Sequence, residues 1–522
     1  KKGLCLQGGV ESLRSKQFHE YCKSMREDKK CEFYENLKVK DALSPEAKVA
    51  VQELQNGSMG SGRVLEVSEQ QKVCPYEISI LLAKKSKVIV GDYLYMFDPG
   101  IRTALLAKIG KELENCIVIV DEAHNLPARI KDVASGFLTE FMFSRALQEA
   151  EKYGYNDIYD CVKGVESAIA LLGDSLKVDE ERYVKRENLL DQLSFDVEEF
   201  VETCFRTADA IREQQRQSFL GGIAAFLEHW MQTKEGYARI LSRKQTDRGQ
   251  GFLLSFRCLD PSTLAAEVFN NCYSSVLMSG TLTPTLMYKE LLAVPGEVAE
   301  FESPFPEQHK LSLIIPKTST KYEKRSPEMY KEIGKVLCEV CEDIPGNVAV
   351  FFPSYAVMRE VYSNCVHDMA KTLFVEEQRM TKPDKEEFLE RFKGYKDQGG
   401  VLFGVMGGNF GEGVDLPGDL LNGVVIVGLP LQRPDLETEA LIKYYDDKFG
   451  KGWQYGYLFP SFQKTLQGAG RCIRSETDKG VIVFLDERYA WSNYYRLFPK
   501  EYDVRTTLLY RKMIQEFFGK KG

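Results

Sequence analysis

The chain has 522 residues, 43% of them hydrophobic and 28% charged, with a formal net charge of −8 and a pI near 5.6. A single hydrophobic core does not grow to that length, so several domains are expected. No apolar run approaches the roughly 18 residues a membrane helix needs, and the acidic balance argues against nucleic-acid binding by the whole surface while leaving room for a basic channel. The first residues, KKGLCLQGGV, hold no apolar signal stretch, and thirteen cysteines without an export signal point to reduced thiols in an intracellular protein.

Residues 1–85 read as an irregular piece with scattered Cys, basic and aromatic residues and a flexible-looking QNGSMGSGR at 55–63. Its segments between cysteines hold few apolar residues, so metal–ligand bonds are expected to hold it together. Residues 86–134 read as part of an α/β domain: a strand in SKVIVGDYL, a helix near 101–114, and a strand Cys116–Val120 running into Asp121-Glu122-Ala123-His124. Residues 135–250 carry long helical patterns and few strand signals. Within them Leu190, Leu193, Val197, Phe200, Val201, Cys204, Ala208 and Ile211 recur at three- and four-residue spacing, the apolar face of a bundle. Residues 251–285 return to the first α/β domain through CYSSVLMSGTLTP. In 286–522 the strands LSLIIP, NVAVFF, GVLFGVM, NGVVIVGL and KGVIVFLDE alternate with amphipathic helices, the pattern of a doubly wound parallel sheet.

Several stretches carry chemistry. A carboxylate at a strand tip, Asp121, can hold magnesium, and its neighbour Glu122 can position a water for attack on a phosphate; a polar turn would look the same in four letters. Gln467, Gly470, Arg471 and Arg474 form Q-x-x-G-R-x-x-R, placed on a helix where the two arginines share a face suited to phosphoryl charge or to solvent. GGNFGEGVDLPG at 407–418 and SGTLTP at 279–284 follow apolar strands and read equally as ligand loops or turns. Ser354 and Tyr355 stand where a strand enters a helix, a place where phosphates bind. Cys338-x-x-Cys341, with Cys365 and His367, has zinc-like letters, but Ile333, Val336, Leu337, Val340 and Cys341 make one apolar helical face, and buried structural thiols are the expectation.

In their order, DEAHNL, LMSGTLTP, FFPSY, EGVD and QGAGRCIR resemble the superfamily 2 helicases, and in detail the XPD-like iron–sulfur branch that includes XPD, FANCJ and DinG, most of all its XPD-type members. The resemblance runs over essentially the whole chain. It implies an α/β fold of two RecA-like motor domains, the first incomplete, with an inserted iron–sulfur domain and a helical arch. It implies ATP-driven 5′-to-3′ movement on single-stranded DNA and opening of forked duplex DNA in DNA repair, by a monomer or within a repair complex. Under it Asp121 serves magnesium, Glu122 serves the attacking water, and Gln467, Arg471 and Arg474 contact the phosphates of ATP. Ser279, Thr281, Glu412, Gly413 and Asp415 then couple the nucleotide to domain movement, and Ser279, Thr281, Gly413, Asp415 and Gly470 belong to the nucleotide-binding set.

Cys5, Cys22, Cys31 and Cys74 are separated by 16, 8 and 42 residues, unlike the close pairs of zinc modules. Their contexts CEFYENL and VCPYE are shared with the branch, and the resemblance implies a 4Fe–4S cluster on these four thiolates. Around them Lys16, Phe18, Tyr21, Lys23, Arg26, Lys29, Lys30, Phe33 and Tyr34 interleave charge and aromatic rings, which suits single-stranded DNA or a solvated surface. GDYLYMFDP at 91–99 is loosely similar to a family segment near the strand path. No stretch reads G-x-x-x-x-G-K-S/T. In the family that cradle lies upstream of the cysteines, so the expectation is that it lies outside these 522 residues and that the chain alone turns over little ATP. The rival reading is a non-motor iron–sulfur DNA-binding or scaffold protein.

Overall fold

The computed structural model describes residues 2–519 except 12, 14, 41, 56, 58, 59, 216, 217, 234, 247, 248, 412–415, 417, 432, 433 and 474. The chain divides into two compact units. The first comprises residues 1–279 with 288–296, the second residues 280–287 with 297–522.

The first unit opens on helices rather than the irregular piece expected. Ser15–Glu27, Glu32–Glu35, Pro45–Leu54, Ser61–Gln70 and Pro75–Lys85 are helical, with a small antiparallel hairpin of β1 (Lys38–Val39) and β2 (Ala42–Leu43). Helix Pro45–Leu54 starts because Ser44 accepts a 3.0 Å hydrogen bond from the Ala47 N–H and Pro45 fits its first turn. Its Ala47, Ala50, Val51 and Leu54 sit at helical spacing and bury against Val64, Val67, Val73, Ile78 and Leu37. The expectation that this region lacks a core of its own is therefore corrected: short apolar residues at the right period suffice.

Further on, helix Pro99–Ile109 precedes β3 (Ile117–Val120), which pairs in parallel with β8 (Ser274–Leu277) across a long insertion. The strand expected at 86–94 does not form, and Val88 and Val90 are 79% and 94% exposed. A parallel strand exists only through its neighbours, and the described sheet at this place has two members. The insertion holds helices Glu140–Lys152, Asn156–Gly173, Val197–Gln214 and Leu220–Met231 around one core that includes Phe200, Val201, Cys204, Ala208 and Ile211. Leu190 belongs to a separate short helix, Arg186–Leu190, so the apolar periodicity runs across a break. The insertion also contains a four-stranded antiparallel sheet in the order β4 (Gly136–Thr139), β7 (Gly249–Cys258), β6 (Tyr237–Thr246), β5 (Glu181–Tyr183). The expectation of few strands between 135 and 250 is corrected.

The second unit is built on a seven-stranded parallel sheet. Its strands are β9 (Lys310–Ile314), β10 (Val348–Phe352), β11 (Thr372–Val375), β12 (Gly400–Val405), β13 (Gly423–Val427), β14 (Gly480–Leu485) and β15 (Arg505–Thr506), in the order β11-β12-β10-β13-β14-β9-β15. All five strands expected from the sequence form; β11 and β15 join them. β10, β12, β13 and β14 are buried along their whole length, as central strands covered on both faces must be. Val348, Val350 and Phe352 face one core and Ala349 and Phe351 the other. Among the described residues no helix is long and apolar enough to cross a membrane.

Candidate functional site

At the C-terminal tips of β3 and β8 four side chains meet. Asp121 and Glu122 leave β3 exposed to solvent. The Glu122 N–H donates to Asp121 Oδ1 at 2.9 Å, and the Glu122 backbone is left-handed (φ 47°, ψ 43°). For a residue with a Cβ that conformation costs about 1–3 kcal/mol and persists only where neighbours impose it. The neighbours are visible. The Ala123 N–H donates to Met278 O at 3.0 Å, Met278 N–H to Val120 O at 2.9 Å, and the Tyr93 hydroxyl to the carbonyls of Asp121 (2.7 Å) and Glu122 (3.0 Å). Burial first, then the Glu122 and Asp121 charges, raise the Tyr93 pKa, so it stays a donor.

Ser279, just past β8, donates to Glu122 Oε2 at 2.8 Å and lies 2.7 Å from His124 Nδ1, which is itself 3.3 Å from Glu122 Oε2. With the Ser279 O–H donated to Glu122, the hydroxyl oxygen is left to accept from His124 Nδ1–H. The His124 side chain is 5% exposed and that of Glu122 60%. One carboxylate is thus steered by two fixed groups yet open to a ligand. Tyr93 and His124 had no role expected from the sequence; Tyr93 lies in the GDYLYMFDP segment, 28 residues from Asp121, and spacing alone could not pair them.

The second unit holds the other motif residues. Helix Phe459–Ala469 carries Gln467, and Gly470 caps it. Arg471 therefore lies in the turn beyond the helix, which corrects the expectation that Arg471 and Arg474 share a helical face; Gly468 and Gly470 favour termination there. Arg471 is 6% exposed and donates to Gly411 O at 2.7 Å, tying this turn to the loop after β12. Arg474, Glu412, Gly413 and Asp415 lie outside the described residues. Thr281 stands half-buried in a turn within the 280–287 segment.

Beside that loop is an open cleft of about 500 Å³ over the ends of β10 and β12, bordered by Ser354, Tyr355, Gln378, Lys385 and the backbone of Gly407 to Asn409. Ser354 caps helix Tyr355–Cys365 by accepting from the Val357 N–H at 3.3 Å. Glu376, 2% exposed, accepts from the Tyr355 hydroxyl (2.6 Å), the Val405 N–H (2.8 Å) and the Asn409 N–H. It shapes the cleft floor and was not singled out in sequence, because a single Glu after a short strand looks like any surface carboxylate.

Of the four N-terminal cysteines, Cys31 is buried and the other three partly so. Cys74 begins helix Pro75–Lys85; burial, with the nearby Cys31 adding to it, pushes its thiol up to about 11. Arg26, on the helix that bears Cys22, donates to the Tyr34 hydroxyl at 2.9 Å and lies 3.8 Å from Glu77, linking the three cysteine-bearing helices. Among the described residues no three His, Cys, Asp or Glu converge as ligands. The donor set fits an iron–sulfur cluster by its thiolate chemistry; the four thiols are not drawn together as one group. Phe18 is buried and Tyr34 packs on the local core, so these two rings are committed to the interior; the side chain of Lys16 lies outside the described set.

Two family descriptions match the chain: DEAD_2 over residues 1–141 and Helicase C-terminal domain over residues 337–504. The class is thus that of helicase-domain proteins. The chain is similar along most of its length to helicases named XPD, CHL1, DDX11 and Fanconi anemia group J protein. Among curated relatives, the ATP-dependent DNA helicase CHL1 of Meyerozyma guilliermondii is 25% identical over 94% of this chain and 66% of its own length. The general transcription and DNA repair factor IIH helicase subunit XPD of Schizosaccharomyces pombe is 24% identical over 90% of this chain and 70% of its own. The chain spans about two thirds of the length of these relatives. A solved XPD helicase superposes with a TM-score of 0.60 at 21% identity, covering 90% of this chain and 84% of the other, and S. tokodaii Xpd4 with 0.58 at 20%, covering 88% and 98%. Those likenesses establish the fold.

Proposed function

We propose that this chain is the greater part of an ATP-driven helicase that moves 5′ to 3′ on single-stranded DNA and opens forked duplexes in DNA repair. The observation that carries the reading is the hydrogen-bonded set Glu122–Ser279–His124, which aims one exposed carboxylate beside a second at a pair of parallel strand tips. Asp121 would hold magnesium, which neutralises phosphate charge when bound. Glu122 orients and accepts a proton from the attacking water. Gln467, Arg471 and Arg474 contact phosphates, Gly470 binds the nucleotide with Ser279, Thr281, Gly413 and Asp415, and Ser279, Thr281, Glu412, Gly413 and Asp415 transmit its state. The cleft bordered by Ser354, Lys385 and Gly407 offers a cation, a capped helix start and backbone N–H groups to a DNA backbone. Domains follow the same reading: 1–85 iron–sulfur, 86–134 and 251–285 first motor, 135–250 arch, 286–522 second motor.

Assayed in the natural protein, Glu122→Gln should cut DNA-stimulated ATP hydrolysis at least a hundredfold, within the range of general-base losses of about 10²–10⁴, while ATP binding persists. An absence of DNA-stimulated hydrolysis would leave the non-motor reading.

The cluster is part of this proposal. Cys5, Cys22, Cys31 and Cys74 would hold it, and their thiolate donors support it. Anaerobically purified protein should contain about four irons and four sulfides per chain and lose them in Cys31→Ser. Because the Ala47–Leu54 core is built from aliphatic side chains, with Cys74 but not Cys31 packed against it, Cys31→Ser should retain helical circular dichroism. Zinc in place of iron contradicts the assignment.

A further inference from the structure

The Cys338-x-x-Cys341 stretch and Cys365 have no part in the site above. They lie where helix Pro327–Asp343 packs on helix Tyr355–Cys365. Gly334 lies directly against the second helix. A Cβ there would stand 3.1 Å from Cys365 Cβ and 3.5 Å from the Asn364 backbone, so no side chain separates the helices. One turn on, the Cys338 S–H donates to Cys365 O at 3.8 Å, which brings the Cys338 sulfur against the Cys365 backbone. Cys338 is partly exposed, whereas Cys365 and Cys341 are 1% and 0% exposed. Among the described residues no third ligand completes a metal site, and His367 is exposed to solvent.

We infer that Cys338 and Cys365 form a redox-active dithiol that a peroxide oxidises to a disulfide bridging the two helices. The neighbouring Cys365 thiol lowers the Cys338 pKa from the ordinary thiol range despite burial, and the Cys338 thiol, with burial, raises that of Cys365. The partly exposed sulfur is thus the nucleophile and the buried one the resolving partner. Cys338 thiolate attacks the peroxide O–O bond, forming S–O; the leaving hydroxide takes a proton and becomes water. Cys365 then attacks the Cys338 sulfur as its proton passes to the departing hydroxyl. The S–S bond forms, S–O breaks, and a second water leaves. Two thiols and one peroxide give one disulfide and two waters. Cys341 stands aside: burial raises its thiol to about 12 and turns it into the core. The closed loop includes β10 and the Ser354 cap, so oxidation would fix one wall of the cleft.

The test treats the full chain with a small excess of hydrogen peroxide, alkylates the remaining thiols, and maps peptides without reduction. Trypsin separates 336–359, bearing Cys338 and Cys341, from 360–371, bearing Cys365. A linked pair of these peptides is expected, reversed by dithiothreitol, retained in Cys341→Ser and lost in Cys338→Ser. Oxidation should also raise an unfolding midpoint by several degrees in the wild type and not in Cys338→Ser. Recovery of Cys338 as free thiol while other cysteines oxidise overturns the inference, as does a link that survives Cys338→Ser or vanishes in Cys341→Ser.

Discussion

Ser279 bridges Glu122 and His124 with one hydroxyl, and removing it should separate function from stability. Ser279→Ala breaks two hydrogen bonds at an exposed carboxylate, so unfolding in urea should shift by less than about 1 kcal/mol. In the natural protein the ATP turnover number should fall roughly tenfold or more, with a smaller change in KM; an unchanged turnover number would mean the hydroxyl is only structural. The pair Asp486 and Arg488 behaves differently. Asp486 is fully buried and accepts from Arg488 Nε and Nη2, each at 2.8 Å, while Arg488 also donates to Thr320 at 2.9 Å. Arg488→Ala strands a buried charge and should cost about 3–5 kcal/mol, read from the urea midpoint. At this scale the sequence made motif residues legible by their neighbours in the chain. Tyr93 and Glu376 escaped because what marks them is a partner far away in sequence.

The elements were read unevenly. β10, β12, β13 and β14 were plain because a short, continuous apolar run set between Gly and polar residues suits a buried parallel strand and is too brief for a core helix. β6 and β7 were not, although Ala238 and Ile240 are buried in alternation with the partly exposed Tyr237 and Arg239. A two-residue period of modest amplitude was lost amid helical periodicity. The 45–54 helix was missed for another reason: Ala and Val carry little apolar weight in composition yet fill a small core well. The loop after β12 shows a constraint that letters hint at without explaining. A Cβ on Gly411 would stand 2.6 Å from Gly407 N and 2.7 Å from Val405 O, both backbone atoms. Gly411→Ala should therefore open this turn, cost about 1–3 kcal/mol, and loosen the hold of Arg471 on Gly411 O. A urea midpoint unchanged from wild type would show that the turn has slack.

Two units with separate cores should melt as separate transitions. In calorimetry Arg488→Ala is expected to move one transition and leave the other in place; a common shift would show one cooperative unit. The first unit has a peculiarity of assembly. Its site joins residues far apart in the chain: Ser279 meets Glu122 across 157 residues, and Ile117 pairs with Ser274. Translation at about 5–20 residues per second delivers the acidic tip roughly 8–30 seconds before its hydroxyl partner. The intervening insertion shortens that separation in space, because its own first and last strands pair, Gly136 opposite Phe256. Folding of the insertion brings the ends of a long loop together and removes most of the closure entropy before β8 arrives. The insertion thus serves as a scaffold for the timing of synthesis: a lesion in its core, at Trp230 or Leu254, would delay the placing of the Glu122 carboxylate against Ser279.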